Sequence, residues 1–128
     1  LYTMGNVDDK DIVYCLDAKT GKEIWTYSYD CAPGNFPGPR ATPVYDDGIL
    51  YTFSRNGLLL ALDPDSGKLK WKLEVLNKTG VKNIKWGLSS SPVIDGDLIL
   101  LNVGKAGVAV NKKTKFDRYL VLMSQSPL

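Results

Sequence analysis

The sequence holds two short acidic segments whose residue types could bind a metal ion. Asp63-Pro64-Asp65-Ser66-Gly67 resembles the start of a calcium loop, and Glu74 falls at the twelfth position, where such a loop supplies its last ligand. Glu74, however, belongs to a run of alternating apolar and polar residues, which favours a β-hairpin turn over a calcium loop. The second segment, Asp8-Asp9-Lys10-Asp11, is predicted to be a solvated loop between two strands. We therefore predict no metal site.

Other reactive residue types are scarce or lack the partners that their chemistry needs. The glycine–lysine pairs at 21–22 and 67–68 lack the earlier glycine and the following serine or threonine of a phosphate-binding P-loop. There is no histidine, which excludes Ser-His-Asp hydrolysis, His-ligated zinc and haem attachment through Cys-x-x-Cys-His. Cys15 and Cys31 could form one disulfide or fill the core as separate thiols, and the sequence leaves both possibilities open.

The composition is that of a globular protein rather than of a nucleic-acid-binding or membrane protein. Of the 128 residues, 44% are hydrophobic and 23% are charged, and 16 basic against 14 acidic residues give a net charge of +2. No basic run stands apart from its acids, so no nucleic-acid partner is predicted. The longest apolar stretch, Leu58 to Leu62, is too short to span a bilayer. The chain opens at Leu1 with no secretion signal, which predicts a mature product or a cut fragment.

The acidic and glycine–lysine segments discussed above belong to a sequence repeat whose period, counted in residues, is in the upper forties. The nine residues 17–25 (DAKTGKEIW) return at 63–71 as DPDSGKLKW. The seven residues 41–47 (ATPVYDD) return at 90–96 as SSPVIDG, and LYTM at 1–4 returns as LYTF at 50–53. Three separate matches at nearly one period indicate a repeat architecture.

Within each repeat the pattern is that of short β-strands. Leu69, Trp71, Leu73 and Val75 alternate with charged residues, which is typical of a strand with one wet face. Glycine, proline, asparagine and aspartate separate the apolar runs, so successive hairpins are expected. Four strands in one such period make one blade of a β-propeller. We predict an all-β chain, a partial propeller of about two and a half to three four-stranded antiparallel blades.

The predicted boundaries treat residues 1–128 as a single propeller segment. Residues 1–30 form a partial blade without its innermost strand, 41–76 a full blade, and 90–123 a divergent blade. Residues 31–40 and 77–89 connect one blade to the next. The last strand of the third blade is expected within Phe116 to Met123.

The repeat resembles the pyrroloquinoline-quinone-type (PQQ-like) repeat. Its hallmark is Leu-Asp-x-x-Ser/Thr-Gly-Lys-x-x-Trp, which occurs at 16–25 and 62–71. The run WGLSSSP at 86–92 likewise resembles the blade junction of bacterial PQQ-binding-like propellers. The third copy departs from the pattern, with Lys115 in place of the glycine and Tyr119 in place of the tryptophan. The resemblance implies that Trp25 and Trp71 form part of a girdle that docks neighbouring blades.

The repeated motif also has a physical explanation of its own. Gly21 and Gly67 are expected at a turn position with positive φ, and Asp17 and Asp63 are expected to accept hydrogen bonds from the amides of the same turn. A tryptophan on the outermost strand buries about 200 Å² against the next blade, which contributes several kcal/mol at each junction.

The predicted ligand-binding residues are Arg40, Lys85 and Trp86, in the connections between blades. Such connections surround the axis of a propeller, where ligands bind. Arg40 would supply a polar contact and Trp86 an aromatic one. The alternative is that Trp86 only fills a gap between blades and that Arg40 only lies on the solvated surface.

The resemblance implies a binding or scaffold module within a larger propeller, with no catalysis of its own and no cofactor. The periplasmic PQQ-like propellers include a scaffold for assembly of bacterial outer-membrane proteins, so a protein or peptide partner, or further blades by self-assembly, is expected in a periplasmic or extracellular setting. One alternative is part of a PQQ-dependent alcohol dehydrogenase (a quinoprotein), which would need PQQ and calcium. A second alternative is a propeller that binds sugars or polymers. The chain lacks the adjacent cysteines often found in quinoprotein dehydrogenases.

Overall fold

The computed structural model describes residues 1–32, 38–114 and, for the backbone alone, 119–123. In these residues it contains eleven strands and one short helix. They are β1 (Tyr2–Val7), β2 (Lys10–Leu16), β3 (Glu23–Asp30), β4 (Val44–Asp46), β5 (Ile49–Phe53), β6 (Leu58–Leu62), β7 (Leu69–Glu74), α1 (Val75–Thr79), β8 (Val93–Asp95), β9 (Leu98–Val103), β10 (Ala106–Asn111) and β11 (Tyr119–Met123).

The strands form three separate antiparallel sheets, and in each sheet every strand pairs with the next one along the chain. The first sheet contains β1 to β3, the second β4 to β7, and the third β8 to β11. The prediction of an all-β chain with antiparallel four-stranded sheets is confirmed. The final strand begins at Tyr119, and the predicted strand residues 116–118, together with Lys115, lie outside the described residues.

The two motif tryptophans occupy the same position in their sheets. Trp25 lies opposite Cys15 in the first sheet, and Trp71 lies opposite Ala61 in the second. In both sheets a register irregularity follows directly, between Cys15 and Leu16 and at the matching step of β6. The two motif tryptophans therefore hold equivalent backbone positions, each beside the same register irregularity.

The third sheet corrects the expectation that Tyr119 takes the tryptophan position. Its register places Leu120 opposite Ala109, and Ala109 corresponds to Ala61, the partner of Trp71. One more residue separates Ala109 from Leu120 than separates Ala61 from Trp71. This extra residue shifts β11 by one place relative to the alignment of the repeats.

Strands β5 and β6 of the second sheet are buried on both faces, which explains their nearly continuous apolar sequences. Leu50, Leu60 and Leu62 pack with Val13 against the first sheet. The alternate residues face the third sheet. These are Tyr51, Phe53, Leu59, Ala61, Trp71 and Leu73, and they pack with Ile99, Leu101, Val103, Val108 and Val110. The period of two along β5 and β6 thus builds two cores from one sheet.

The up-and-down order of the strands gives the molecule two distinct ends. The turns β2–β3, β4–β5, β6–β7 and β8–β9, and residues 111–114 after β10, lie at one end, which we name the turn end. The turns β1–β2, β5–β6 and β9–β10, and the connections from one sheet to the next, lie at the other, which we name the connection end. Every predicted ligand-binding residue lies in a connection and therefore at the connection end.

The connection after the second sheet begins with a helical turn that the sequence pattern did not predict. Helix α1 starts at Val75, which is fully buried, and ends where the Gly80 amide donates to the Leu76 carbonyl, at 2.9 Å. The Thr79 hydroxyl donates to the Val75 carbonyl at 2.7 Å. Burial of Val75 and these two bonds stabilise a turn that is too short to show a helical period. None of the helices in the described residues is long and apolar enough to span a membrane.

Candidate functional site

The two motif aspartates of the turn end, Asp17 and Asp63, accept hydrogen bonds from their own turns. Asp63 Oδ1 accepts hydrogen bonds from the amides of Asp65 and Ser66, at 2.9 and 3.0 Å. Asp17 makes the same pair of bonds in the first sheet, and Asn111 makes them in the third. These backbone hydrogen bonds lower the pKa of both Asp17 and Asp63 below the ordinary aspartate value. The geometry is that of a turn, as in other Asx turns, and not that of a calcium loop.

The motif tryptophan of the first sheet lies against the repeated turn of the second. Trp25 Nε1 donates to the Pro64 carbonyl at 2.9 Å, and the Tyr2 hydroxyl donates to the same oxygen at 3.1 Å. A Cβ atom at Gly67 would lie 2.4 Å from the Trp25 ring, so the ring rests directly on the glycine. Trp71 is only 8% exposed in the core between the second and third sheets.

A cavity of about 380 Å³ opens at the connection end, where the second sheet meets both of its connections. Its polar and aromatic lining consists of three cationic side chains, two amides and one indole. These are Arg40, Arg55, Lys85, Asn56, Asn83 and Trp86. Within the described residues the lining contains no carboxylate, so its charged side chains are all cations.

The three predicted ligand-binding residues meet in this cavity although they come from different connections. Arg40 Nη1 donates a short hydrogen bond to the Trp86 carbonyl. Lys85 Nζ lies 5.0 Å from the centroid of the Trp86 ring, within the range of a cation–π contact. Trp86 is 55% exposed, whereas the nearby Leu88 is buried. Leu88 therefore fills the interior, and the Trp86 ring stays accessible.

Sequence reasoning missed the third cationic residue of the cavity, Arg55. It lies in the turn between β5 and β6 and is only 7% exposed. Its carbonyl accepts hydrogen bonds from the Leu88 amide at 2.9 Å and from Asn83 Nδ2 at 3.0 Å. Strand order could have identified it, because the turn after the second strand must lie at the same end as the connections.

Behind Arg55 lies a buried polar cluster that corrects the expectation for the segment 8–11. Asp11 was expected to be solvated with its neighbours, but it lies in β2 and is 1% exposed. Its Oδ1 accepts from Asn6 Nδ2 at 2.8 Å, and its Oδ2 accepts from the Tyr29 hydroxyl at 3.2 Å. Burial, and then the charge of Asp11, raise the pKa of Tyr29. Alternation along β2 turns Asp11 inward, while Asp8 and Asp9 form the exposed turn.

The two cysteines are free thiols and lie at opposite ends of the first sheet. Cys15 pairs with Tyr2 at the turn end, whereas the Cys31 amide donates to the Asp9 carbonyl at the connection end. Burial raises the pKa of the Cys31 thiol, and a hydrogen bond with Arg55 opposes the rise only in part. Asn56 Nδ2 donates to Cys31 Sγ at 3.4 Å. The buried cluster therefore extends to the wall of the cavity.

The donor set of the connection end does not fit calcium. Calcium takes six to eight oxygen ligands, several of them carboxylate oxygens, and the cavity lining offers none of the latter. Across residues 1–32 and 38–114, no group of three or more His, Cys, Asp or Glu side chains could hold a metal ion. The carboxylates that the structure describes at this end are engaged in hydrogen bonds or lie in the exposed turn after β1.

Comparison with known proteins identifies both an assembly factor and quinoprotein enzymes as relatives. A family model described as outer membrane protein assembly factor BamB matches residues 8–115. Quinoprotein ethanol dehydrogenase from Pseudomonas aeruginosa is 33% identical over 64 residues, which cover 47% of this chain and 10% of that protein.

Among solved structures, BamB from Moraxella catarrhalis gives a TM-score of 0.68 at 17% identity, covering 95% of this chain and 40% of its own. Europium-containing methanol dehydrogenase gives 0.67 at 19% identity, covering 98% and 23%. The chain thus spans less than half the length of each relative, and the structural matches confirm the prediction of partial propeller blades. Because the family model matches most of the chain, this protein belongs to the PQQ-like β-propeller family that includes the outer membrane protein assembly factor BamB.

Proposed function

We propose that the chain is a single propeller segment, part of a larger propeller, that acts as a scaffold and binds a polypeptide partner at its connection end. The observation that supports this proposal is the convergence of Arg40, Lys85 and Trp86 from two separate connections around one cavity. An exposed indole beside several cations offers both apolar area and charge to a partner, and tryptophan and arginine are the side chains enriched at interface hot spots.

The relatives support a protein-binding role outside the cytoplasm. The matching family is described as an outer membrane protein assembly factor, and a propeller of that kind works by contact with other polypeptides. The proposed location is accordingly periplasmic or extracellular. Catalysis is not part of the proposal, because function follows the site and not the fold.

The remaining blades of the propeller are the second proposed partner. Val93, Leu98 and Leu100 are exposed on the outer face of the third sheet, beside an apolar groove of about 710 Å³. Leu100 corresponds to Tyr51, which in the second sheet packs against the next blade. Packing of another blade on this face would bury these side chains in the same way, and the surplus apolar area would stabilise the assembly.

The polypeptide-binding proposal is tested by adding an unfolded outer-membrane β-barrel polypeptide, diluted from urea, to the isotope-labelled chain and following its amide NMR shifts. We expect shifts confined to the connection end, near Arg40 and 83–87, and much weaker binding by Arg40→Ala. Lys70→Ala, an exposed change on β7, is the matched control. Absence of binding by this polypeptide and by a panel of extended peptides would refute the scaffold role.

A second candidate function is part of a quinoprotein dehydrogenase, which the 33% identity to quinoprotein ethanol dehydrogenase favours. The described residues of the cavity lining supply no set of ligands for the calcium ion that such an enzyme would need. Equilibrium dialysis with PQQ and calcium, followed by an assay of dye reduction with ethanol, separates the two candidates. We expect neither binding nor reduction, and a positive result in both assays would replace the scaffold proposal.

A further inference from the structure

The lining of the connection-end cavity also indicates which polypeptides it selects. We propose that the cavity binds the carboxylate side chains of an acidic, extended peptide segment, an inference that rests on the proposed scaffold function. Arg40, Lys85 and two amide groups line the cavity, and among the described residues no carboxylate lines it beside them. Charge-assisted hydrogen bonds from such donors to a carboxylate are about twice as strong as neutral ones.

The charge pattern of the connection extends the positive field beyond the cavity. Between Glu74 and Asp95 the chain contains Lys78, Lys82 and Lys85 but no acidic residue. At physiological salt the screening length is about 8 Å, so each lysine acts on a ligand that passes close to it, and an extended segment can pass more than one of them. A segment with several acidic residues would gain from this field, whereas a neutral segment would not.

The cavity is built before any ligand arrives, because backbone hydrogen bonds hold its walls. The Arg55 carbonyl binds Asn83 and Leu88 and so ties the second connection to the turn of the second sheet. The Trp86 carbonyl in turn accepts from Arg40 and links the first connection to the second. A guanidinium has five N–H donors, so this one bond leaves Arg40 with donors for a carboxylate. Preorganisation of this kind lowers the entropic cost of binding.

A peptide fits the charge distribution better than a nucleic acid does. Asp8, Asp9, Asp30 and Glu74 lie at the same end of the molecule as the cavity. A nucleic acid is a continuous polyanion and would meet these carboxylates wherever it left the cavity. A peptide can place one or two carboxylates in the cavity and neutral residues elsewhere.

The test uses two fluorescein-labelled peptides of equal length, one with three glutamates in a Gly/Ser background and one with glutamines in their place. Fluorescence anisotropy measures their affinity for the 128-residue chain at low salt and at physiological salt. We expect the glutamate peptide to bind at least about tenfold more tightly and to weaken as salt rises. Arg40→Gln and Lys85→Gln should each reduce its affinity about tenfold, and Lys70→Gln on β7 should leave it unchanged.

The outcomes separate this inference from the scaffold proposal. Equal binding of both peptides would overturn carboxylate selectivity and leave the scaffold function standing. No binding of either peptide or of the unfolded barrel polypeptide would overturn both. Single-stranded DNA of the same charge that binds as tightly, and weakens with the same variants, would show that the site selects polyanions and not peptides. Unchanged thermal unfolding of Arg40→Gln and Lys85→Gln establishes that a lost affinity comes from the site.

Discussion

The two ends of this molecule are built from the same strands but differ in every other respect. At the turn end, one arrangement of an Asx turn recurs in all three sheets, with Asp17, Asp63 and Asn111 accepting equivalent hydrogen bonds. At the connection end, the two connections differ in sequence, one of them contains a helical turn, and their cations gather around a cavity. The repeated turns lie at the end where one blade docks on the next. The dissimilar connections lie at the end that carries the exposed cations.

The difference shows how a repeat protein can separate stability from recognition. The turn end uses short local hydrogen bonds in all three sheets and one motif indole in each of the first two, and such features can be copied from blade to blade because each copy meets a similar neighbour. The connections are not constrained by strand pairing, so they can vary without loss of the sheets. The turn end should therefore respond to mutation through stability, and the connection end through binding.

The largest expected contrast is between the tryptophans of the two ends. Trp71→Ala removes a ring that is 8% exposed and 6.1 Å from the ring of Tyr51, and should lower the free energy of unfolding by about 3–5 kcal/mol. Trp86→Ala removes a ring that is mostly in solvent. It should change the free energy of unfolding by less than about 0.5 kcal/mol while weakening peptide binding. Urea denaturation measures both. A large loss of stability in Trp86→Ala would instead make Trp86 a structural plug.

A second contrast lies within the turn end, between two glycines of identical conformation. Gly21 and Gly67 both have φ of 74°, so an alanine costs about 1–2 kcal/mol at either position from backbone strain alone. At Gly67 the added Cβ would also lie 2.4 Å from the Trp25 ring, whereas at Gly21 nothing lies within 4 Å. Gly67→Ala should therefore destabilise the protein clearly more than Gly21→Ala in the same urea titration. Equal losses would mean that the docking of Trp25 contributes nothing.

The same division explains what the sequence could and could not predict. Strand positions, the turn glycines and the motif tryptophans follow from local patterns that repeat, and the sheets form at nearly the predicted residues. Local patterns alone do not reveal Asp11 or Arg55, although strand order places the turn that contains Arg55 at the connection end. Whether Asp11 points inward depends on which face of β2 meets the second sheet, and Arg55 becomes part of the site only when two distant connections cross its turn.

Three of the cavity residues were nevertheless predictable, and the reason is topological. Arg40, Lys85 and Trp86 lie in segments that join one blade to the next, and all such segments lie at one end of a propeller. Sequence reasoning could not give their mutual contacts, since the bond from Arg40 to the Trp86 carbonyl depends on the exact path of each connection. Composition gave no hint of the charge cluster, because the net charge of the whole chain is only +2.

Alkaline pH should lower the stability of the protein through two buried weak acids at the connection end, the Tyr29 hydroxyl and the Cys31 thiol. Tyr29 and Cys31 have pKa values raised above their ordinary values of 10.0 and 9.0. Above these values the unfolded chain loses protons that the folded chain keeps, so the free energy of unfolding falls as pH rises. Below about pH 9 both groups are protonated in the folded and the unfolded chain, and their contribution to the free energy of unfolding is complete. Above that pH the contribution declines, by up to about 1.4 kcal/mol per pH unit for each group.

Urea unfolding of the wild type and of Tyr29→Phe at a series of pH values between 8 and about 10.5 checks this expectation. The variant should be less stable at pH 8, because it loses the bond to Asp11, but its stability should fall less steeply with pH. Cys31→Ala, which removes the other group with a raised pKa, should also make the free energy of unfolding depend less steeply on pH. Identical slopes in all three proteins would show that neither group is protected from ionisation by the fold.

The smallest expected effect concerns the repeated turn itself. The question is whether the side chain at position 63 must carry a negative charge or only needs an oxygen that accepts hydrogen bonds. Asn111 occupies the Asp63 position in the third sheet and makes the same two bonds, at 2.9 and 3.2 Å. Asp63→Asn should therefore keep the turn, whereas Asp63→Ala loses the oxygen that accepts both bonds and should lower the Tm by a few degrees. Because backbone hydrogen bonds lower the pKa of Asp63, its stabilising effect is present above the ordinary aspartate pKa and is lost as pH falls through the lowered value. Asp63→Asn removes that dependence. If Asp63→Asn were as unstable as Asp63→Ala at neutral pH, the negative charge would be required, and the equivalence of the three turns would be geometric only.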